Sequence, residues 1–161
     1  MQITSNFSLK ELISSDRAKR EGISNMPGDK EIVNLIRLCE NVLQPLRDFM
    51  GKPIKINSGY RSKELNTKVG GSKTSSHMKG EAADIECDND ELNIKMFKYI
   101  LENLDFDQCI IYKSVYGRPR FVHVSYAKTE NRKQALLKRD GGGYEITNVD
   151  LVLKEFDEKW H

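Results

Sequence analysis

Ile32, Leu35, Ile36, Cys39, Val42, Leu43, Leu46, Phe49 and Met50 recur at three- and four-residue steps. That spacing lines one face of an α-helix with apolar side chains, and such a face has to be buried against other elements. The pattern stops at Gly51. Pro45 lies inside it, where a proline costs about 3 kcal/mol or more. The spacing therefore predicts one long amphipathic helix, kinked or broken near residue 45.

The remaining signals are shorter. Ser8 and Glu11 have capping-box spacing ahead of Leu9 and Leu12, so a short helix opens near residue 8. Residues 25–29 are a turn. Residues 53–58 alternate like a strand, and 82–87 read as a short one. Asp88 and Glu91 suit the start of a helix over 89–103. Two strands, 106–113 and 120–126, flank a loop at Tyr116 and Gly117. A hairpin follows from Gln134–Leu137 to Tyr144–Thr147 through Asp140–Gly143, and Asp150–Trp160 forms a last helix. Residues 59–80, rich in Gly, Ser, Thr and Lys, form the longest irregular stretch, and a loop of that length in a compact domain is usually functional. Helices and neighbouring strands without regular βαβ alternation predict an α+β fold, a small antiparallel sheet packed with helices.

Composition narrows the function. The chain has 161 residues, enough for one domain with a real core, and its 38% hydrophobic and 31% charged residues are those of a water-soluble globule. A net charge of +2, with basic residues scattered among acids, gives no footprint for nucleic acid. No apolar run approaches the roughly 18 residues of a membrane span, and the first residues carry no visible secretory signal. The expectation is a soluble protein without membrane insertion. Cys39, Cys87 and Cys109 lie far apart, which predicts reduced, buried thiols and no cysteine-rich zinc site. A metal here has to be held by histidine and carboxylate.

The chain has three histidines. His77 precedes Gly80, which permits a tight reversal; beyond it Ala82 and Asp84 share one face of a strand. Small Ala82 leaves room beside Asp84, and His77 can face that carboxylate across the turn. A neutral imidazole and an anionic oxygen are good zinc ligands. His123 sits in Phe121-Val122-His123-Val124-Ser125, where alternation puts Phe121, His123 and Ser125 on one face. A buried histidine needs a partner, since an unsatisfied polar group costs roughly 1–3 kcal/mol. From spacing alone the partner is either a metal or an ordinary hydrogen bond, and His77 is either a ligand or a solvated loop residue.

Ser75-x-His77-x-x-Gly80-x-Ala82-x-Asp84 resembles the SxHxxGxAxD signature of the D-Ala-D-Ala carboxypeptidase family of zinc peptidases. Val122-His123-Val124 is similar to the third-ligand strand of the branch common in phages and bacterial cell-wall enzymes. Phe7–Leu12, Leu38–Arg47, Ser58-Gly59-Tyr60-Arg61-Ser62, Phe106-Asp107-Gln108 and Asn131-Arg132 resemble further family stretches. The likeness covers about residues 6–135 of a single domain, 1–161, and leaves the hairpin and helix of 133–161 as an appendage.

The resemblance implies one zinc ion on His77, Asp84 and His123 in a cleft at the sheet, with the fourth position open for catalysis. It implies hydrolysis of peptidoglycan stem peptides or cross-links beside a D-amino acid, at the cell wall, whether periplasmic, extracellular or phage-delivered. Arg61, whose planar fork suits a carboxylate or carbonyl, and Ser75, which orients the ligand loop, are the expected substrate-side residues. The general base is not identifiable. Relatives carry an acid three residues before the last histidine, where this chain has Arg120, or a histidine two before it, where it has Phe121. In the closer branch an acid often ends the strand that here finishes at Lys113. Asp107, Glu81 and Glu86 are the remaining candidates. Those departures keep two other readings open: a metal-containing peptidoglycan-binding domain without turnover, and a structural metal domain of a larger phage assembly. The oligomeric state is not legible.

Overall fold

A computed structural model describes residues 1–157. Strands β1 (Gln2–Thr4) and β2 (Phe7–Ser8) form a two-stranded antiparallel ribbon. Helices α1 (Leu9–Ile13), α2 (Asp16–Glu21), α3 (Asp29–Leu38) and α4 (Gln44–Met50) follow. A six-stranded sheet is built from β3 (Lys55–Ser58), β4 (Ala82–Glu86), β5 (Gln108–Lys113), β6 (Pro119–Ser125), β7 (Gln134–Arg139) and β8 (Tyr144–Ile146), in the order β3-β4-β6-β5-β7-β8. Between its strands come α5 (Lys63–Lys68) and α6 (Asp90–Asn103), and α7 (Val149–Asp157) closes the described chain. No helix among the described residues is long and apolar enough to cross a membrane.

The long helix forms as its periodicity predicts, with its winding interrupted just ahead of Pro45. Cys39–Leu43 widens into one π-helical turn, in which the Gln44 N–H reaches back to Cys39 O. The wide turn falls just where the proline, with no N–H to give, interrupts the ordinary i→i−4 ladder. Leu35, Leu38, Cys39, Val42, Leu43 and Leu46 are all fully buried. They pack against one face of the sheet, which presents Ala83, Ile85, Cys109, Ile111, Val122 and Val124. Burying an aliphatic side chain of this size contributes about 1.5–3 kcal/mol, so this shared layer is the main source of stability.

The α+β expectation holds, with one correction: the main sheet is mixed, because β5 and β7 run parallel. The reason is where β6 stops. β5 and β6 are antiparallel, so β6 ends beside the start of β5, with Ala82↔Ser125 and Cys109↔Val124 in register. The connection then crosses below β5, pinned by Lys133 N–H to Phe106 O and Gln134 N–H to Asp107 O. A strand that starts there can only run in the direction of β5. Two smaller corrections concern caps and loops. Asn89, not Asp88 with Glu91, caps α6 through Leu92 N–H at 2.9 Å. The stretch 59–80 also contains α5, which begins at the cap Ser62 and buries little besides Leu65 and Asn66, too few apolar residues to show a period.

Residues 134–157 join the same sheet and core. Val152 and Phe156 are buried in the main cluster, and all three cysteines are free and buried. Lys113 is buried on the core side of the sheet, where Glu155 of α7 pairs with it and with Arg139 Nη1 at 2.7 Å. Arg139 and then Lys113 hold the Glu155 carboxyl down to about 2, from an ordinary 4.5. A carboxyl depressed by folding stabilises the native state above its unfolded value and stops doing so as pH falls through its folded one. Wild-type protein is therefore expected to lose stability between pH about 4.5 and about 2, and Glu155→Gln to lose that part of the acid dependence. At pH 7 the variant leaves Lys113 without its carboxylate, at a cost of about 1–3 kcal/mol. Urea unfolding of both proteins across this pH range is the check, and parallel curves would contradict the pairing.

Candidate metal centre

The sheet face opposite the helices carries the chemistry. Period-two alternation puts Ala82 and Asp84 of β4, His123 and Ser125 of β6, and Gln108, Ile110 and Tyr112 of β5 on that side. Asp84 stands directly across from His123 in the β4–β6 register. His77 comes from a different kind of element, a 3₁₀ turn over Ser76–Lys79 packed above the sheet. Ser75 starts that turn by accepting from the His77 N–H at 3.2 Å. Gly80 ends it with φ of +74°, in the left-handed region that suits glycine. A Cβ on Gly80 would lie 2.4 Å from the Glu31 carbonyl oxygen, so α3 fixes the height of the turn over the sheet.

These elements bring His77, Asp84 and His123 together, with one donor atom of each within 4.8 Å of the others. All three are buried, at 4%, 9% and 8% relative exposure. The hydrogen bonding decides what the cluster can hold. His77 Nδ1 lies 2.7 Å from Gly59 O. A carbonyl only accepts, so Nδ1 carries the proton and a neutral His77 presents a lone pair at Nε2. That Nε2 is 3.4 Å from Asp84 Oδ1, itself an acceptor. Two buried lone-pair atoms aimed at one another need a cation between them, either a proton or a metal ion. His123 Nδ1 approaches the same oxygen at 2.9 Å. Burial alone would raise the Asp84 carboxyl, but the imidazoles of His77 and His123 outweigh it and hold that group well below the usual carboxylate range. Two imidazole nitrogens and one carboxylate oxygen fit a zinc site that keeps a position open.

The surrounding loop is held from several directions. Gly59 lies so close to α1 that a Cβ there would sit 2.2 Å from Leu12 O. Tyr60 N–H donates to that same carbonyl at 2.8 Å, and Arg61 N–H to His77 O at 3.1 Å. Arg61 lines the cleft, yet its guanidinium is already engaged. It donates from Nε to Ser58 Oγ at 2.9 Å, from Nη1 to buried Asn66 Oδ1 at 3.3 Å, and from Nη2 to Asp84 Oδ2 at 3.4 Å. The arginine therefore orients the carboxylate from outside as well as offering its remaining donors to the cleft.

The family profile of peptidase M15 matches residues 5–125, three quarters of the chain. The chain belongs to this zinc peptidase family. A zinc D-Ala-D-Ala carboxypeptidase of Streptomyces albus G is 52% identical over 44 residues, which are 27% of this chain and 17% of that enzyme. The chain thus matches well under two thirds of that relative's length. In this member of the M15 family the cleft around the three residues has a volume of about 410 Å³. Its wall also includes Tyr112, Arg132 and Tyr144, none of which the sequence assigned to the site. Tyr112 was foreseeable from its alternation with Ile110. Tyr144 was not, since only the β7–β8 pairing carries it to the site.

None of the three acids considered as a base lines the cleft. Asp107 is clamped by Arg132, with Nε to Oδ1 and Nη2 to Oδ2 both at 2.9 Å, and that partner holds its carboxyl below the ordinary range. Glu81 accepts from Lys128 N–H at 2.8 Å, and Glu86 faces Lys55 at 3.8 Å. Arg120, three residues before His123, does not line the cleft; its guanidinium lies 5.7 Å from the Phe121 ring and pairs with both oxygens of Asp140 at 3.0 and 3.1 Å. Phe121 shares the His123 face but stacks on Tyr112 with centroids 4.3 Å apart. Among the described residues, Asp84 is the one carboxylate that lines the cleft.

Proposed function

We propose that this chain is a zinc-dependent peptidase that hydrolyses peptide bonds of peptidoglycan stem peptides or cross-links, next to a D-amino acid. The observation that carries the reading is the convergence of the His77 Nε2 lone pair on the Asp84 carboxylate, in a cleft large enough for a peptide. Zinc held there by His77, Asp84 and His123 would supply Lewis acidity, polarising a peptide carbonyl and acidifying water at neutral pH. The chain's own residues do the rest. Gly59 O fixes the His77 tautomer, and Arg61 keeps the second carboxylate oxygen turned aside. The outward donors of Arg61 suit the terminal carboxylate or a carbonyl of the substrate. The D-Ala-D-Ala specificity in the name of the Streptomyces enzyme supports the substrate class. The cell wall is accordingly the proposed site of action.

A muropeptide digest followed by mass spectrometry tests this. One zinc per chain is expected, with release of D-alanine or new amines that stops on chelation and returns with added zinc. Arg61→Lys is expected to lower zinc affinity or turnover by roughly 10–100-fold, because an ammonium cannot reach Ser58, Asn66 and Asp84 at once. Wild-type values for both in the lysine variant would remove Arg61 from the site.

One observation favours a second reading, a peptidoglycan-binding domain with little turnover. Among the described residues, the cleft offers no carboxylate beyond Asp84 to take a proton from water. Zinc content and muropeptide binding without cleavage would establish that reading instead.

A further inference from the structure

The cleft continues well past the metal-ligating cluster. It runs from Arg61 beside β3, over Asp84 of β4 and His123 of β6, across Ile110 and Tyr112 of β5, and ends at Tyr144 of β8. Tyr144 comes from residues outside the family match. It is 58% exposed, and the Lys138 ammonium sits 5.5 Å from its ring. Tyr112, which lines the cleft beside it, is braced by its stack on Phe121. The result is an aromatic ledge at the end of the cleft remote from Arg61, with an exposed ring at its lip. Exposed tyrosine is well suited to binding, because it offers a large apolar face and a polar tip at little entropic cost.

From this arrangement we infer that Tyr144, next to Tyr112 in the cleft wall, is a specificity-determining residue that docks the part of the peptide N-terminal to the scissile bond. The inference rests on reading the cleft as the peptide site, with the C-terminal carboxylate directed to Arg61. Distance sets which substrates should feel it. Neighbouring strands lie about 4.8 Å apart, so β8 is roughly 14 Å from β6, the reach of about four extended residues. A dipeptide held at the cluster stops short of Tyr144. A full stem peptide arrives there.

The test compares D-Ala-D-Ala with the pentapeptide L-Ala-D-Glu-L-Lys-D-Ala-D-Ala on wild-type protein and on Tyr144→Ala, both with their zinc content measured. Tyr144→Ala is expected to raise KM for the pentapeptide about tenfold, the loss of one good aromatic contact, with kcat, dipeptide kinetics and zinc content unchanged. Tyr144→Phe, which keeps the ring, is expected to recover most of the loss. Calorimetric binding of a pentapeptide analogue whose terminal amide is reduced gives a second readout without turnover, and the same tenfold weakening is expected. Equal effects on dipeptide and pentapeptide, or no effect on either KM or analogue binding, would overturn the inference while leaving hydrolysis intact. A wild-type protein that cleaves nothing, yet binds the analogue in a Tyr144-dependent way, would sink the peptidase reading and leave the docking ledge standing.

Discussion

His77→Ala is expected to stay folded and to lose its zinc. Zinc sites of four ligands are held by about 10–16 kcal/mol in total, so each ligand carries roughly 3–4 kcal/mol, or on the order of 10²–10³ in affinity. His77 should cost at least that. Its ring is held in place by Gly59 O, so the alanine removes a donor that wild type already presents to the site. Hydrolysis of muropeptides should fall with zinc occupancy. The fold should not, because the 3₁₀ turn is also held by Ser75, by Arg61 N–H and by the contact of Gly80 with α3. Elemental analysis after dialysis, with circular dichroism as control, decides the matter. A variant that retains one zinc per chain would mean that His77 is not a ligand. Asp84→Asn probes the same site differently, keeping the shape while removing the charge that His77 and His123 both approach.

Gly80→Ala is expected to cost both stability and metal affinity. An alanine at φ of +74° carries about 1–2 kcal/mol of left-handed strain. The added methyl would also meet Glu31 O at 2.4 Å, a backbone atom of α3 that cannot turn aside. Overlap of that kind adds typically 1–3 kcal/mol, for a total of about 2–5 kcal/mol. Gly51→Ala is the control, since Gly51 has a similar φ of +64° but nothing within 4 Å of the added carbon. It should cost about 1–2 kcal/mol, the strain alone. Urea midpoints for the two variants separate strain from contact. If they agree within about 0.5 kcal/mol, α3 does not set the height of the His77 turn. Zinc affinity should fall in Gly80→Ala and not in Gly51→Ala, because only the former shifts His77 relative to Asp84.

The legible parts of the fold are those whose cause is local. The apolar stripe of residues 32–50 announces its helix because burial against the sheet requires one continuous face. Ser8 caps α1 through Glu11 N–H, as the capping-box spacing indicates. Pro45 signals an irregularity in that helix but does not specify its form, which is a π turn over Cys39–Leu43. Helix α5 is silent because it buries too few apolar residues to write a period. The parallel pairing of β5 with β7 is equally silent, since strand direction follows from where β6 ends, and no residue in β7 encodes that.

The site divides along the same line. His77, Gly80, Ala82 and Asp84 are visible in the chain because a tight reversal must place them within a few residues of each other, and His123 because its strand alternates. Those are short-range constraints, and sequence records short-range constraints directly. The hydrogen bond that fixes the His77 tautomer, the three partners of Arg61, the pairing of Arg120 with Asp140 and of Lys113 with Glu155, and the arrival of Tyr144 at the cleft all join residues distant in the chain. Only the closing of the sheet brings such residues within a few ångströms, so only the tertiary structure could decide them.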